Sequence, residues 1–274
     1  MILPIVLDTC SLLNLLRIDE EDEFLFKKLT SLNINICECV YKEAFNNIDK
    51  DGFNNQQRDY ISKQIPKFSK FKRSIDEDFQ NQYTDVIKKF CDYKKDNGEF
   101  YSTLLSLYMC REDQCRLYFY TDDYPAKKTF TNFFIYQQIG TIGDTVDLLL
   151  FMYWIDKDFK WEKLIKYLKD LYSEYATPIK LLLNKICDNK ERWLINKPRD
   201  KKLYDNLCKL EVGLRDIDFD KINSGIKYFN ENRTNYKEIY GLIETYPKLQ
   251  SDAGVANKLH DIITYTRSNI IYKK

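Results

Sequence analysis

A single histidine, His260, is all the imidazole in this 274-residue chain. That scarcity argues against Ser-His or Cys-His triads and against histidine general-base chemistry, which need an imidazole beside the reacting group. Cysteine is present at positions 10, 37, 39, 91, 110, 115, 187 and 208, but without pattern. Only Cys37 and Cys39 lie close together, no C-x-x-C pair occurs, and a zinc site of four closely spaced ligands is not expected. Reduced, mostly buried thiols are the reading that follows. Long apolar runs are missing as well. The longest, Leu148 to Ile155, covers eight residues, against the roughly 20 that span a bilayer. The opening Met1 to Asp8 has no basic region and meets an aspartate early, which argues against a secretory signal. A cytoplasmic protein without membrane attachment is expected. No repeat of fixed period and no low-complexity linker stands out.

What remains is a chain with 44% hydrophobic and 31% charged residues, a balance that supports a packed core and has length for two modest domains. A hydrolase of this composition must work through carboxylates and metal. The net charge of +1 conceals an asymmetry, since residues 1–159 carry −6 and residues 160–274 carry +7. A carboxylate–metal site beside a polyanion-binding surface has that signature, and so does chance in a Lys-, Asn- and Tyr-rich composition.

The first half alternates strand and helix signals. Leu3 to Leu7 is a short apolar strand that runs into the helical pattern of Leu12, Leu13, Leu15 and Leu16. Ile34 to Cys37 is a second strand, followed by a helix through Val40, Ala44 and Phe45. A polar and basic stretch at 46–75 precedes a helix at 76–92, and Asn97-Gly98 opens another from Glu99 to about Cys110. Leu117 to Tyr120 reads as a third strand and Phe134 to Gln138 as a fourth. Gly140 to Gly143 then turns into an apolar helix at 144–155. This alternation implies βαβ units around a parallel sheet, with ligands at the carboxyl ends of the strands. Beyond residue 158 only helices are expected. They run from the stripe Trp161, Leu164, Ile165, Leu168 to segments at 179–186, 201–214, 218–230, 234–246 and 253–266, with Pro178, Pro198, Gly213, Asn232 and Pro247 as separators.

Acidic residues fall where such a sheet puts function. Asp8 closes the first strand, Glu43 lies one turn into the next helix, Glu99 starts a helix after Gly98, and Asp122 and Asp123 follow the strand at 117–120. Carboxylates forced together repel, so they require a hard divalent cation. Mg²⁺ or Mn²⁺ held in this way activates water and shields a phosphate for in-line attack. Taken singly, each acid reads more readily as a solvated surface charge, and it is the joint order and context that make the set specific.

At these residues the sequence resembles the PIN-domain nucleases. Val6-Leu7-Asp8-Thr9-Cys10-Ser11 resembles the family's opening strand and Asp-Thr motif, and Cys39 to Ala44 the helix that supplies its second acid. Asn97-Gly98-Glu99 is similar to the Gly-Glu helix start of one branch, Thr121-Asp122-Asp123 to its Thr-x-Asp element, and Gly140-Thr141 to its Gly-Thr turn. The resemblance covers about 155 residues and says nothing of the remainder. It implies a three-layer α/β/α domain with a short central parallel sheet at 1–158, followed by an all-α region at 159–274. It further implies Asp8, Glu43, Glu99 and Asp123 as catalytic and metal-binding acids, with Asp122 competing with Asp123 for the metal. Thr121, Thr9 and Ser11 would support them, and one or two Mg²⁺ or Mn²⁺ ions would be the cofactor.

Lys63, Lys67, Lys70, Lys72 and Arg73, interleaved with Phe68 and Phe71, either track a phosphate backbone with stacking rings or form a solvated face over two buried rings. The acidic run Asp19 to Glu23 opens a helix, and Asp144 caps one. A metal-dependent endoribonuclease is the leading expectation. The resemblance brings with it roles as a bacterial toxin or anti-phage defence effector, and an antitoxin or complex partner on the helical C-terminal region. The alternatives are a nuclease acting on DNA and a non-catalytic PIN-fold binding or scaffold protein.

Overall fold

The computed structural model describes residues 3–19, 22–49 and 53–268. The chain divides into two compact units, Met1–Tyr167 and Leu168–Lys274. The first is built on a four-stranded, all-parallel sheet and the second is helical. The division falls inside one helix, nine residues beyond the 158/159 boundary that the resemblance implies.

In the first unit, strand β1 (Ile5–Leu7) leads into α1 (Thr9–Ile18) and α2 (Phe24–Thr30), and β2 (Ile34–Asn35) into α3 (Glu38–Asn47). Next come α4 (Asn55–Gln64), a 3-10 turn at Ile65–Phe71, α5 (Glu77–Cys91) and α6 (Gly98–Glu112). Strand β3 (Leu117–Tyr120), α7 (Tyr124–Tyr136), β4 (Gly140–Gly143) and α8 (Thr145–Ile155) complete it. The strand order is β2-β1-β3-β4, with Ile5 opposite both Ile34 and Tyr118. Strand connections in parallel sheets are right-handed. The chain leaves β1 toward β2 on one side and leaves β3 toward β4 on the other, so α1 and α7 lie on opposite faces. Consistent with this, α1 packs on α8, whereas α5 packs on both α6 and α7. The crevice between the carboxyl ends of β1 and β3 is thus the topological switch point, where parallel α/β sheets bind ligands. Among the described residues no helix is long and apolar enough to cross a membrane.

Asp19 serves the acidic run's expected purpose: its carboxylate accepts the Leu25 and Phe26 amides at 2.8 and 2.9 Å, satisfying the open donors of α2. Glu20 and Glu21 lie outside the described residues. The outer edge of β2 is partly covered, because Ile36 donates to Phe71 O and accepts from Arg73 N.

The fourth strand departs from expectation. Phe134 and Ile135 belong to α7, which Asp123 caps and Pro125 opens, while the strand is Gly140–Gly143, read above as a turn. Gln138 in a left-handed conformation (φ 53°) ends the helical course. Gly140 then lies so close to β3 that a Cβ would meet Leu117 O at 1.9 Å. Two glycines hide this strand from any propensity reading, yet its register with β3 leaves no room for a side chain.

The second unit opens on the long helix α9 (Trp161–Asn196), which belongs to both units and runs through Pro178 without a break. Pro178 is therefore not a separator. Helices α10 (Lys201–Asp216) and α11 (Phe219–Glu231) form a tight hairpin, in which a Cβ on Gly225 would stand 2.9 Å from Leu210 Cβ. Helices α12 (Lys237–Glu244) and α13 (Leu249–Ser268) pack against α11. All eight cysteines are free thiols; only Cys37 is buried, Cys187 is exposed and six are half-buried, so most are not core residues.

Candidate active site

Asp8 ends β1 in extended conformation and caps α1, with Oδ1 accepting Thr9 N at 2.7 Å. Its amide donates to Tyr120 O at the end of β3, locking the two strand ends together. Oδ2 accepts the Thr121 hydroxyl at 2.8 Å and the Cys10 thiol at 3.0 Å. Glu43 reaches in from α3. Its Oε2 accepts the Thr9 hydroxyl at 2.7 Å and its Oε1 the Gly98 amide at 2.9 Å, at the first turn of α6. The Cys39 thiol, one turn earlier on α3, also points to Oε1, at 3.5 Å.

Gly98 shows how closely the acids converge. A Cβ placed there would lie 2.5 Å from Glu43 Oε2 and 3.2 Å from Asp8 Oδ1. Glycine at this position admits both carboxylates to one point. Glu99 follows directly, and its carboxyl is pushed up to about 7 by burial, then by the charges of Asp8, Asp123 and Glu43. Burial likewise lifts Asp8 to about 6, with a further push from Glu43. Asp123 caps α7 through the Ala126 amide at 2.7 Å, and its own amide donates to Thr121 Oγ1 at 3.2 Å. The fully buried Thr121 hydroxyl therefore links Asp8 to the backbone of Asp123.

Asp122 stands apart. It is buried with Oδ1 on Thr145 N, and Oδ2 on the Thr145 hydroxyl and Asn14 Nδ2. Burial and Asp144 raise it, and it ties β3 to α1 and α8 rather than entering the acid group. That separates it from Asp123, two residues after Thr121. Ser11, expected in support, has a buried hydroxyl with no partner among the described residues. Thr9 and Thr121 do the supporting. Asp144 caps α8 in a reciprocal box with Asp147 and pairs with Lys127 at 2.8 Å.

Three participants were not foreseen: the Cys10 and Cys39 thiols and the Gly98 amide. Their spacings carried the signal, since Cys10 lies two residues after one acid and Cys39 one helical turn before another. Asn97, read above only as the break before the helix, does more. It caps α6 through Phe100 N and accepts the Tyr93 hydroxyl at 2.9 Å, fixing the helix start that positions Gly98 and Glu99.

The basic cluster proves largely occupied. Lys67 pairs with Glu23 at 3.4 Å, Lys72 with Glu38 at 2.9 Å, and Arg73 grips Asp113 through two 2.8 Å bonds. Phe68 is core and available to no base. Lys63 and Lys70 remain exposed, Lys70 lying over Phe71.

Whether the acids suit a cation can be judged from their donors. Among the described residues no three Asp, Glu, Cys or His side chains form a ready-made ligand set, because Asp8 and Glu43 are turned onto protein donors. The group is nonetheless composed of hard oxygens, and neither lysine nor arginine pairs with Asp8, Glu43, Glu99 or Asp123 among the described residues. Two carboxyls raised by burial and by the charges of neighbouring acids are what a hard divalent cation relieves. Hard carboxylate oxygens are the donor type that Mg²⁺ and Mn²⁺ take. No known protein family, curated protein or solved structure gives a match to this chain.

Proposed function

We propose that the first unit is a PIN-like, metal-dependent nuclease, with RNA as its leading substrate. The observation that carries this reading is the approach of Asp8 and Glu43 to one point at Gly98, beside a Glu99 whose carboxyl burial and then its acidic neighbours push up to about 7. Asp8, Glu43, Glu99 and Asp123 would hold the cation, which when bound lowers the pKa of water and screens the phosphate. Thr9 fixes the Glu43 carboxylate, and Thr121 fixes Asp8 against the turn that carries Asp123. No protein nucleophile is required, in keeping with a chain whose one histidine, His260, lies in the second unit. The biological setting proposed is a bacterial toxin or defence effector, with a partner on the helical region.

Purified protein with Mn²⁺ is expected to cleave RNA, and Asp8→Asn to abolish cleavage. Equal cleavage by that variant would refute the site, and matched RNA and DNA strands in competition would decide the sugar. One observation favours the non-catalytic scaffold instead: the carboxylates of Asp8 and Glu43 already accept protein donors. Calorimetry separates the two, since the scaffold takes up no Mn²⁺.

A further inference from the structure

Four carboxylates at one edge of the sheet repel a polynucleotide, and a bound cation offsets only part of that charge. Resting on the nuclease reading above, we propose that the turn 92–97 supplies the missing positive charge, Lys94 and Lys95 gripping the phosphodiester backbone next to the acids.

The turn is short and tied at both ends. Asp92 ends α5 in a left-handed conformation (φ 48°), and the Tyr93 amide returns to Lys88 O at 3.0 Å. The Tyr93 ring lies between α6 and α7, 6.4 Å from Phe100 in parallel stacking and 4.9 Å from Phe130. Its hydroxyl reaches Asn97, the residue before Gly98 and Glu99. Between these anchors Lys94 and Lys95 project as exposed side chains with no hydrogen bond or ion pair among the described residues. Among the neighbouring cations, Lys88 pairs with Asp96 at 2.7 Å and Lys127 with Asp144 at 2.8 Å, whereas Lys89 and Lys128 are exposed without a partner among the described residues and extend the same positive surface. Three of the five cations at 63–73 are engaged too. Two uncommitted lysines on a braced turn, four and five residues before Glu99, are free to meet a chain of phosphates, the charge of Asp96 being already matched by Lys88.

The test is fluorescence anisotropy of the full chain with labelled short single strands of RNA and of DNA, in Ca²⁺ to suppress turnover. Lys94→Ala/Lys95→Ala is expected to bind roughly tenfold more weakly, with a salt slope shallower by about 1.4, at about 0.7 per phosphate on single strands. Its calorimetric Mn²⁺ affinity should be unchanged. Lys157→Ala/Lys160→Ala, which removes the same charge from exposed positions elsewhere, should bind like the parent. An unchanged slope in the first variant, or equal weakening in the second, overturns the proposal. If the parent cuts nucleic acid while the double variant behaves identically, the nuclease reading stands and only the role of the turn is lost. If the parent neither binds nor cuts either strand, both fall.

Discussion

Replacing Thr121 by valine preserves volume but removes the hydroxyl that donates to Asp8 and accepts the Asp123 amide. Burial makes the loss expensive, about 1–3 kcal/mol for a stranded buried group, and the two aspartates lose their common reference. Thr121→Val is expected to fold with a lower Tm and to lose Mn²⁺ affinity; parental affinity would show that the hydroxyl does not organise the acids. The raised carboxyls give a second expectation at this scale. Asp8 near 6 and Glu99 near 7 sit above their ordinary values, so between about pH 4 and 7 the folded state holds protons that the unfolded chain has released. Stability of the metal-free protein therefore falls as pH rises through that window. Melting in EDTA should give a lower Tm at pH 7.5 than at pH 5, and added Mn²⁺ should raise Tm more at the higher pH. Glu99→Gln removes one of the mutually repelling charges. It should raise the metal-free Tm at pH 7.5, by roughly 2–4 °C for each kcal/mol relieved, while lowering nuclease activity.

Helix α6 concentrates the requirement for glycine at its first turn. Alanine favours helices over glycine by about 1 kcal/mol, so Gly98→Ala should help the helix in isolation. Its Cβ, however, falls on Glu43 Oε2, and the expected outcome is normal circular dichroism with strongly reduced Mn²⁺ binding. Elements with a strong local signature were readable in advance. Strand β1 ends on a residue that both terminates a strand and caps a helix, and Asn97 with Gly98 announces α6. Asp8, Glu99 and Asp123 sit on the punctuation between elements, whereas Glu43 lies within α3, where only helix register marks it. What could not be read were features decided by distant neighbours. Strand β4 exists because β3 satisfies its backbone, although Gly140 and Gly143 argue against a strand. Helix α9 passes Pro178 because tertiary packing outweighs one missing hydrogen bond. The roles of Asp122 and Asp123 depend on Asn14 and Thr145, 108 and 23 residues from Asp122. Lys67, Lys72 and Arg73 looked available only until the fold brought Glu23, Glu38 and Asp113 to them.

At the scale of the molecule, the first unit is organised around two strands, β1 and β3, that have neighbours on both sides. Their amides should be the slowest to exchange with deuterium, and those of β4, paired only with β3, appreciably faster. The reverse order would mean that the sheet is not the last part of this unit to open. All the acids proposed for catalysis lie within this unit, and the negative charge of residues 1–159 is partly theirs. The inward turn of Asp8 and Glu43 onto Thr9, Cys10, Thr121 and Gly98 has a kinetic consequence. Under the proposed function, a cation arriving at this centre would not fill a waiting cage; it would compete with donors already seated. Uptake is then a ligand exchange, governed by how fast those internal bonds yield. The protein would stay idle at low divalent concentrations, its apparent metal affinity reduced by the cost of the internal bonds that must first yield.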